Sequence, residues 1–582
     1  MRLVLLREIP EDATLCLQWN DLVQRMERPQ VFYTYEWSLA VQRAYHAILR
    51  PLLFLAYDGR DVLCGVASLA IELNGSGASF LCATTGDYCD FVSGPECRPS
   101  FIASVLKELR TQGIGEVTLT NLPADSDTVV AMQSVSKEFG YRCFMRTAYV
   151  CAQVALGKLE RRPMDSKPVL PGRKMVRRSL SAMGREAPVR LDHSRTWAAV
   201  SPILSEFMEA HVARFLATGR ISNMTRPERR QFLEELAKLI APQGWLVLTR
   251  MMSGEKTLAW NYGFEFEGSW FWYQPTFETD LEKLSPGFCL LTKLIEEAAE
   301  NPALTTVDLG LGAEEYKERF ANQTRETLYV TLRTSATQHV REILRYRAAQ
   351  IVRTAPRLEA FVRVALVHLR SDGVAGTLRV LAERVGEFLW WHREILFFEW
   401  SGAVVPELDA ARVEVLNLNQ LASAAQRNFG EESSLHYLVR SALRLREKKA
   451  EGFGFVGAEG TLWGCVWSNS LEGFFLPELN AKVEAPSPDC VVLFDHWNPP
   501  NAPDDRCPVL TMRLIAGRIR EQGKSAWTYS SANDVSLIQR LESTGFQPRH
   551  SVVCRRLLGW QTVTTKTSKS NSALASEVSA RV

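Results

Sequence analysis

The sequence predicts an α/β fold of mixed, mostly antiparallel sheets flanked by helices, laid out as tandem units with a third similar unit after them. Two observations predict it. Residues 244–333 read in the order strand, strand, strand, helix, strand, helix, strand. That order then recurs on both sides, with hairpin turns roughly 200 residues apart.

In the central stretch, residues 244–252 are an apolar, strand-like run. Ser253-Gly254-Glu255 reads as a tight turn. Residues 256–266 and 269–274 are the next strands, rich in Trp, Tyr and Phe. After Leu284-Ser285-Pro286-Gly287 comes a helical pattern, with Phe288, Leu291, Leu294, Ile295 and Ala298 on one face. Residues 304–309 are a short strand, 313–320 a short amphipathic helix and 327–332 a closing strand.

Ser285-Pro286-Gly287 is the chemical centre of this stretch. Ser suits an N-cap and Pro the first helical position. Gly lets a ligand approach the backbone. The unpaired N–H groups and partial positive charge of a helix start suit a phosphate or pyrophosphate. A well-capped helix without a ligand is the simpler reading of the tripeptide alone.

The N-terminal part repeats the pattern. A hairpin turns at Asp58-Gly59, residues 78–84 are a third strand, and Arg98-Pro99-Ser100 opens a helix running to about Gln112. Residues 116–122 are a strand, 125–139 a helix and 141–154 a final strand. In the C-terminal part the turn is Glu459-Gly460, residues 490–496 are the third strand and 508–522 a helix. Residues 526–530 are a strand, 534–543 a helix with Asn533 placed to cap it, and 546–557 a closing strand. The layout is therefore residues 1–155, 165–335 and 395–560 as three units, 336–394 as a helical connector, and 561–582 as a Ser/Thr/Lys-rich tail expected to be disordered. Only the central unit has Gly after the helix-opening Pro. Ser100 stands there in the first unit. In the third it is Val509, with Asp504 and Asp505 close by, where bulk and like charge oppose an anion.

The central residues resemble a known family. Asn261-Tyr262-Gly263-Phe264, the aromatic run 270–273, Asp280, Leu284-Ser285-Pro286-Gly287, Asp308-Leu309-Gly310 and Tyr316-Lys317 are similar to CelD-like, cellulose-biosynthesis-type acetyltransferases. These are a branch of the GNAT superfamily related to FemAB-type transferases. The resemblance covers residues 173–333. Trp19, Glu36-Trp37 and Asp87-Tyr88 extend it weakly toward the N-terminus. It implies a GNAT-like fold and acyl transfer from acetyl-CoA or another acyl-CoA, without a metal. The acceptor it implies is an amine or hydroxyl of a polysaccharide or cell-envelope precursor, or another small molecule. The superfamily's Gly-rich pyrophosphate loop is absent, and Ser285-Pro286-Gly287 stands in its place. A FemAB-type, aminoacyl-tRNA-dependent transferase and a non-catalytic scaffold of the same fold are the alternatives.

The resemblance also assigns roles. Tyr316 is the expected acid for the leaving thiolate. Asp280, with Glu278 beside it, is a candidate base. Ser285, Pro286, Gly287, Gly310 and Lys317 are expected at the donor, and His211, Tyr273 and Asp308 at the acceptor. A surface salt bridge is the commoner role for such charged residues, and a structural histidine the commoner role for His211. Positioning and a polarising backbone N–H carry most of the catalysis in such chemistry.

Bulk properties fit a globular protein. The 582 residues are 46% hydrophobic and 23% charged, with net charge +2, which gives no general drive toward nucleic acid, DNA included, or membrane. The 12 Cys include no C-x-x-C pair or zinc-ligand spacing and read as reduced thiols. The N-terminal MRLVLLREIPED reads as a first strand rather than a signal peptide, and no apolar run is long enough for a membrane span. A cytoplasmic protein is expected. The basic stretch 173–185 reads as a solvated helix face or as a contact for phosphate. Residues 336–391 read as a connector with many Arg among apolar residues. A membrane-surface helix is the alternative there.

Overall fold

The computed structural model describes residues 1–163, 167–312, 314–353, 390–402, 413–457, 460–502, 507–557 and 560–567. The chain forms two compact units, Met1–Arg214 with Ser222–Ala349, and Phe215–Ile221 with Gln350–Val582.

The first half of the first unit contains β1 (Arg2–Leu6), α1 (Ala13–Gln24), α2 (Tyr35–Tyr45), β2 (Leu49–Tyr57), β3 (Leu63–Glu72) and β4 (Ala78–Phe80). It continues with β5 (Val92–Ser93), α3 (Arg98–Thr111), β6 (Glu116–Pro123), α4 (Asp127–Val135) and β7 (Arg142–Ala155). The second half contains α5 (Arg173–Met183), β8 (Val189–Ser194), α6 (Trp197–Ala217), α7 (Pro227–Ile240), β9 (Leu246–Ser253) and β10 (Lys256–Phe266). Then come β11 (Ser269–Phe277), α8 (Pro286–Glu300), β12 (Thr306–Asp308), α9 (Glu315–Glu318) and β13 (Gln323–Arg333), and α10 (Ala336–Arg353) follows.

Local chemistry sets several of these boundaries. Asp12 caps α1 by accepting from the Thr14 N–H at 2.7 Å. Gly140, at φ +74°, ends the turn after α4 and delivers Tyr141, whose hydroxyl donates to the Ile114 carbonyl at 2.6 Å. Leu290, Leu291, Leu294, Ile295 and Ala298 bury one side of α8 against Val247, Met251, Ala259, Trp270 and Trp272. Each such aliphatic side chain stabilises the fold by about 1.5–3 kcal/mol.

The two halves share one sheet, in the order β1-β2-β3-β4-β6-β13-β7-β12-β11-β10-β9-β8, with β5 on β3. Each half has an antiparallel hairpin and one parallel pair, β4 with β6 and β11 with β12, bridged by α3 and α8. The closing strands are exchanged. β13 pairs with β6 of the first half from Thr327↔Pro123 to Arg333↔Glu116. β7 pairs with β12 of the second half at Asp308↔Gln153. Between them β7 and β13 pair from Gln323↔Gln153 to Arg333↔Arg142. The local sequence predicts each closing strand but not its partner in the other half.

The second unit contains β14 (Trp390–Trp400), β15 (Val413–Val415), α11 (Leu418–Arg427), α12 (Glu432–Glu447), β16 (Glu451–Val456), β17 (Leu462–Ser470), β18 (Phe474–Leu476) and β19 (Ala481–Val483). Next are β20 (Cys490–Trp497), α13 (Cys507–Glu521), β21 (Ser525–Ser531), α14 (Val535–Ser543), β22 (Phe546–Leu557) and β23 (Trp560–Thr567). Its main sheet runs β15-β16-β17-β20-β21-β14-β22-β23, with β20 parallel to β21.

Four expectations change here. β14 begins at Trp390, inside the span read as connector. Its apolar residues face both ways, Ile395 and Phe397 into one core and Phe398 and Trp400 into the other, which makes it a central strand. The expected disordered tail starts instead with β23, which pairs with β22 from Leu557↔Trp560 to His550↔Thr567. Its Thr and Val residues are β-branched, so a polar composition still makes a strand. Residues 568–582 lie outside the described residues. Asp534, not Asn533, caps α14, accepting from the Leu537 N–H at 3.0 Å. Val509 is buried in the core of its unit rather than facing a ligand, while Asp504 and Asp505 lie outside the described residues.

The exchange yields a prediction. Residues 1–160 or 168–353 expressed alone should aggregate, and the two co-expressed should copurify as one folded complex. Cooperative unfolding of either half by itself would contradict the exchanged pairing.

Candidate active site

β11 and β12 pair in parallel only from Ser269↔Thr306 to Phe271↔Asp308. At that point β11 carries a bulge. Tyr262 of β10 faces Gln274 and Phe264 faces Phe271, so Trp272 and Tyr273 together oppose Gly263. A bulge bends its strand and sharpens the twist, and here it turns β11 away where its pairing with β12 ends. Gly263 is required, because a Cβ there would lie 2.6 Å from the Phe271 carbonyl oxygen.

Asp308, the last residue of β12, is buried and accepts three hydrogen bonds: from the Tyr88 hydroxyl at 2.9 Å, Gln153 Nε2 at 2.7 Å and the Gly310 N–H at 2.8 Å. Tyr88 and Gln153 both come from the first half. Gly310, at φ +69°, has Asp87 packed against its Cα, and a Cβ there would overlap Asp87 Oδ2. The loop that carries Asp87 is tied down on several sides. Trp37 Nε1 donates to Thr85 Oγ1 at 3.1 Å, Asn121 Nδ2 to the Gly86 carbonyl at 2.9 Å, and the Cys89 N–H to the Asn121 carbonyl at 3.0 Å. The Tyr273 hydroxyl of β11 donates to the Thr85 carbonyl and accepts from Arg229 Nη2 at 2.7 Å.

The two carboxylates sit in different environments. Burial and the charge of Asp308 push the Asp87 carboxyl up to about 7, against the pull of Lys317, Arg229 and the Leu311 backbone. Burial also raises Asp308, but donors from Gln153, Gly310 and Tyr88 favour its ionised form. Asp308 is thus the member supplied with donors, and Asp87 the one that exchanges a proton near neutrality.

The residues expected from the sequence fall into three groups. Tyr316, Lys317, Asp308, Gly310 and Tyr273 converge on this junction. The Tyr316 hydroxyl accepts from Trp272 Nε1 at 3.2 Å, and burial pushes its pKa far up, so it is protonated at neutral pH. Lys317 is buried and turned inward, donating to the Leu311 carbonyl at 2.8 Å and pairing with Glu314 at 2.9 Å, rather than reaching for a phosphate. Ser285, Pro286 and Gly287 form the start of α8. Ser285 is left-handed (φ +51°) and its side chain does not cap the helix. Pro286 has no N–H, so Gly287 and Phe288 present N–H groups that no side chain caps. Gly287 lies close to the Phe277 ring, with 3.2 Å from a Cβ position to Cδ1. The chemistry of this helix start fits the phosphates of a CoA-type donor.

His211 and Asp280 are placed elsewhere. His211 is buried, its Nδ1 2.9 Å from Ser222 Oγ and its ring against Phe207. Asp280 is exposed on a short 3₁₀ turn and pairs with Lys256 at 3.0 Å. Glu278 is partly buried, and burial raises its pKa. Sequence reasoning missed Asp87, Gln153 and Arg229 as site residues. Asp87-Tyr88 belonged to the weak N-terminal resemblance, and that was the one signal pointing to them.

The matching helix start in the first half is built from different residues. At the start of α3, Arg98 is buried, donating to the Ser93 carbonyl at 2.6 Å and to Glu27 at 3.1 Å. The Phe101 ring lies on Gly65, 2.8 Å from where a Cβ would stand. In the second half Phe288, at the position of Phe101, is buried too, and Gly287 is half-buried against Phe277, whereas Ser100 of the first half is exposed.

Residues 172–318 match the family model described as an acetyltransferase (GNAT) domain. No curated protein matches the chain. Among solved structures, the chain is similar to FemX, with 10% identity, 59% of this chain and 99% of that one covered, and a TM-score of 0.40. A tandem GNAT protein from the clavulanic acid biosynthesis pathway gives 12%, 57%, 99% and 0.35, and L-PGS from Bacillus licheniformis 12%, 53%, 95% and 0.33. Likenesses this slight carry over neither a donor nor an acceptor. The fold is the GNAT-like α/β class expected from the sequence, and residues 172–318 are the part that the acetyltransferase domain model matches.

Gly310 provides a test of the packing. Gly310→Ala should destabilise the protein by about 2–4 kcal/mol, because the left-handed backbone and the overlap with Asp87 both cost. Gly140→Ala has the same handedness with nothing within 4 Å, and should cost only about 1 kcal/mol. Equal losses in denaturant titrations would mean that Asp87 does not pack on Gly310.

Proposed function

We propose that this protein is an acyl-CoA-dependent acyltransferase with one working site, in the second half of the first unit. The start of α8, at Ser285, Pro286 and Gly287, holds the donor's phosphates with backbone N–H groups. The gap that opens between β11 and β12 after Phe271 and Asp308 receives the thioester arm. The thioester supplies an activated acyl group. Asp87 takes a proton from the attacking amine, and Asp308 and Lys317 set its affinity for that proton. The Tyr316 hydroxyl, oriented by Trp272, gives a proton to the departing thiolate. Gly310, lacking a side chain, leaves room for the Asp87 carboxylate beside Asp308. The acceptor is an amine, or a hydroxyl, of a polysaccharide or cell-envelope precursor, as the resemblance to CelD-like enzymes implies.

The observation that carries this reading is the Asp87–Asp308 pair at the parting of the two parallel strands. A carboxyl pushed up to about 7 is matched to base catalysis at neutral pH. Two carboxylates held together, Asp308 buried and Asp87 half-buried, mark a functional-site candidate.

The pH dependence follows with its sign. Asp87 works as a base only when ionised. Activity should therefore rise about tenfold per pH unit below about 7 and level off above it. Asp87→Asn should lower kcat/KM by roughly 10²- to 10⁴-fold and remove that limb. Folding responds in the opposite sense. A carboxyl raised above its unfolded value stabilises fully below about pH 4 and loses that contribution as pH rises through about 7. At pH 8, Asp87→Asn should thus not lower the melting temperature. An unchanged rate, or a pH limb that survives the substitution, would remove Asp87 from the chemistry.

A further inference from the structure

α10 (Ala336–Arg353) carries a pattern that acyl transfer does not use. Its inner side packs on the sheet. Tyr346 lies edge-on to Phe144, with ring centroids 5.6 Å apart, and Glu342 accepts from Arg333 Nε at 2.7 Å and Thr331 Oγ1 at 2.9 Å. Its outer side is apolar and basic together. Val340 is 52% exposed and Leu344 60% exposed, one turn apart, with Ala348 next on the same stripe. Arg341, Arg345 and Arg347 flank that stripe. None of the three has a hydrogen bond or ion pair among the described residues. Glu342 is the one acidic residue of the helix, and it is turned inward and neutralised by Arg333.

We propose that the outer face of α10 docks the protein on an anionic lipid surface. An exposed apolar stripe between uncompensated arginines matches an interfacial helix. The aliphatic side chains enter the headgroup boundary, and the guanidinium groups meet lipid phosphates. A nucleic acid would satisfy the arginines but leave Val340 and Leu344 in water. A second copy of the chain would satisfy the apolar stripe but oppose like charges. A lipid surface satisfies both. No helix among the described residues is long and apolar enough to cross a membrane, so the contact is peripheral.

The test is flotation of the full chain with vesicles of phosphatidylcholine containing about 30 mol% phosphatidylglycerol, against phosphatidylcholine alone. The protein should float with the anionic vesicles, not with the neutral ones, and release as salt is raised. Replacing Arg341, Arg345 and Arg347 with Gln should weaken binding by roughly a hundredfold. Val340→Ser with Leu344→Ser should weaken it by tenfold or more. All five side chains point outward, so the variants should keep the wild-type melting temperature. The proposal fails if the wild type does not float, or if both variants float as well as it does. It also fails if the arginines serve an oligonucleotide with no vesicle binding, or if the face proves instead to hold a dimer that the serine variants break.

Discussion

The exchange of β7 and β13 is the constraint on which the rest of the first unit depends. Each half makes its own hairpin and its own parallel pair, but neither completes its sheet. The hydrogen bonds that close one half are donated by the other. This ties Gln153 of β7 to Asp308 of β12 and fixes the first-half loop of Asp87 and Tyr88 over the end of β12. The candidate site is therefore a product of the pairing. Without the exchange, Asp308 would lose two of its three donors and its ionised form would be stranded in the core.

The same geometry explains why the halves are not equivalent. Both have a parallel pair bridged by a helix whose first turn contains Pro. In the first half Arg98 is buried at the helix start and Ser100 is exposed, whereas in the second Ser285 stands where Arg98 does and Gly287 is half-buried against Phe277. The first half also supplies a carboxylate, Asp87, and a tyrosine, Tyr88, across the junction. This asymmetry is what the proposal of a single site rests on.

Much of the fold was legible because it is written in local periodicity. The apolar face of α8, the hairpin turns and the Gly-aromatic step at Gly140-Tyr141 are all patterns a few residues long. What was not legible depends on partners far away in the chain. β7 and β13 pair across more than 150 residues, and nothing local in either says which edge it will take. β14 was hidden because its neighbours are rich in arginine. β23 was hidden because threonine reads as polar before it reads as β-branched. In the site, Tyr316, Lys317 and Asp308 were within reach of motif reasoning because they follow one strand end. Asp87 was not. In sequence it is an aspartate after a glycine, the commonest of turn residues, touched only by the weak Asp87-Tyr88 resemblance, and its place beside Asp308 is what marks it out. Asp280 shows the reverse error, a carboxylate close in sequence to the donor helix that lies on the surface with Lys256.

The central claim is a single donor site at the start of α8. Isothermal titration with acetyl-CoA and longer acyl-CoAs tests it most directly, on the full chain and on two variants. Gly287→Asp places bulk and negative charge at the start of α8, and Ser100→Asp does the same at the exposed start of α3. The account predicts one acyl-CoA per chain for the wild type and for Ser100→Asp, and none for Gly287→Asp with its fold retained. Binding that survives in Gly287→Asp, or a wild type that takes up no acyl-CoA at all, would contradict it.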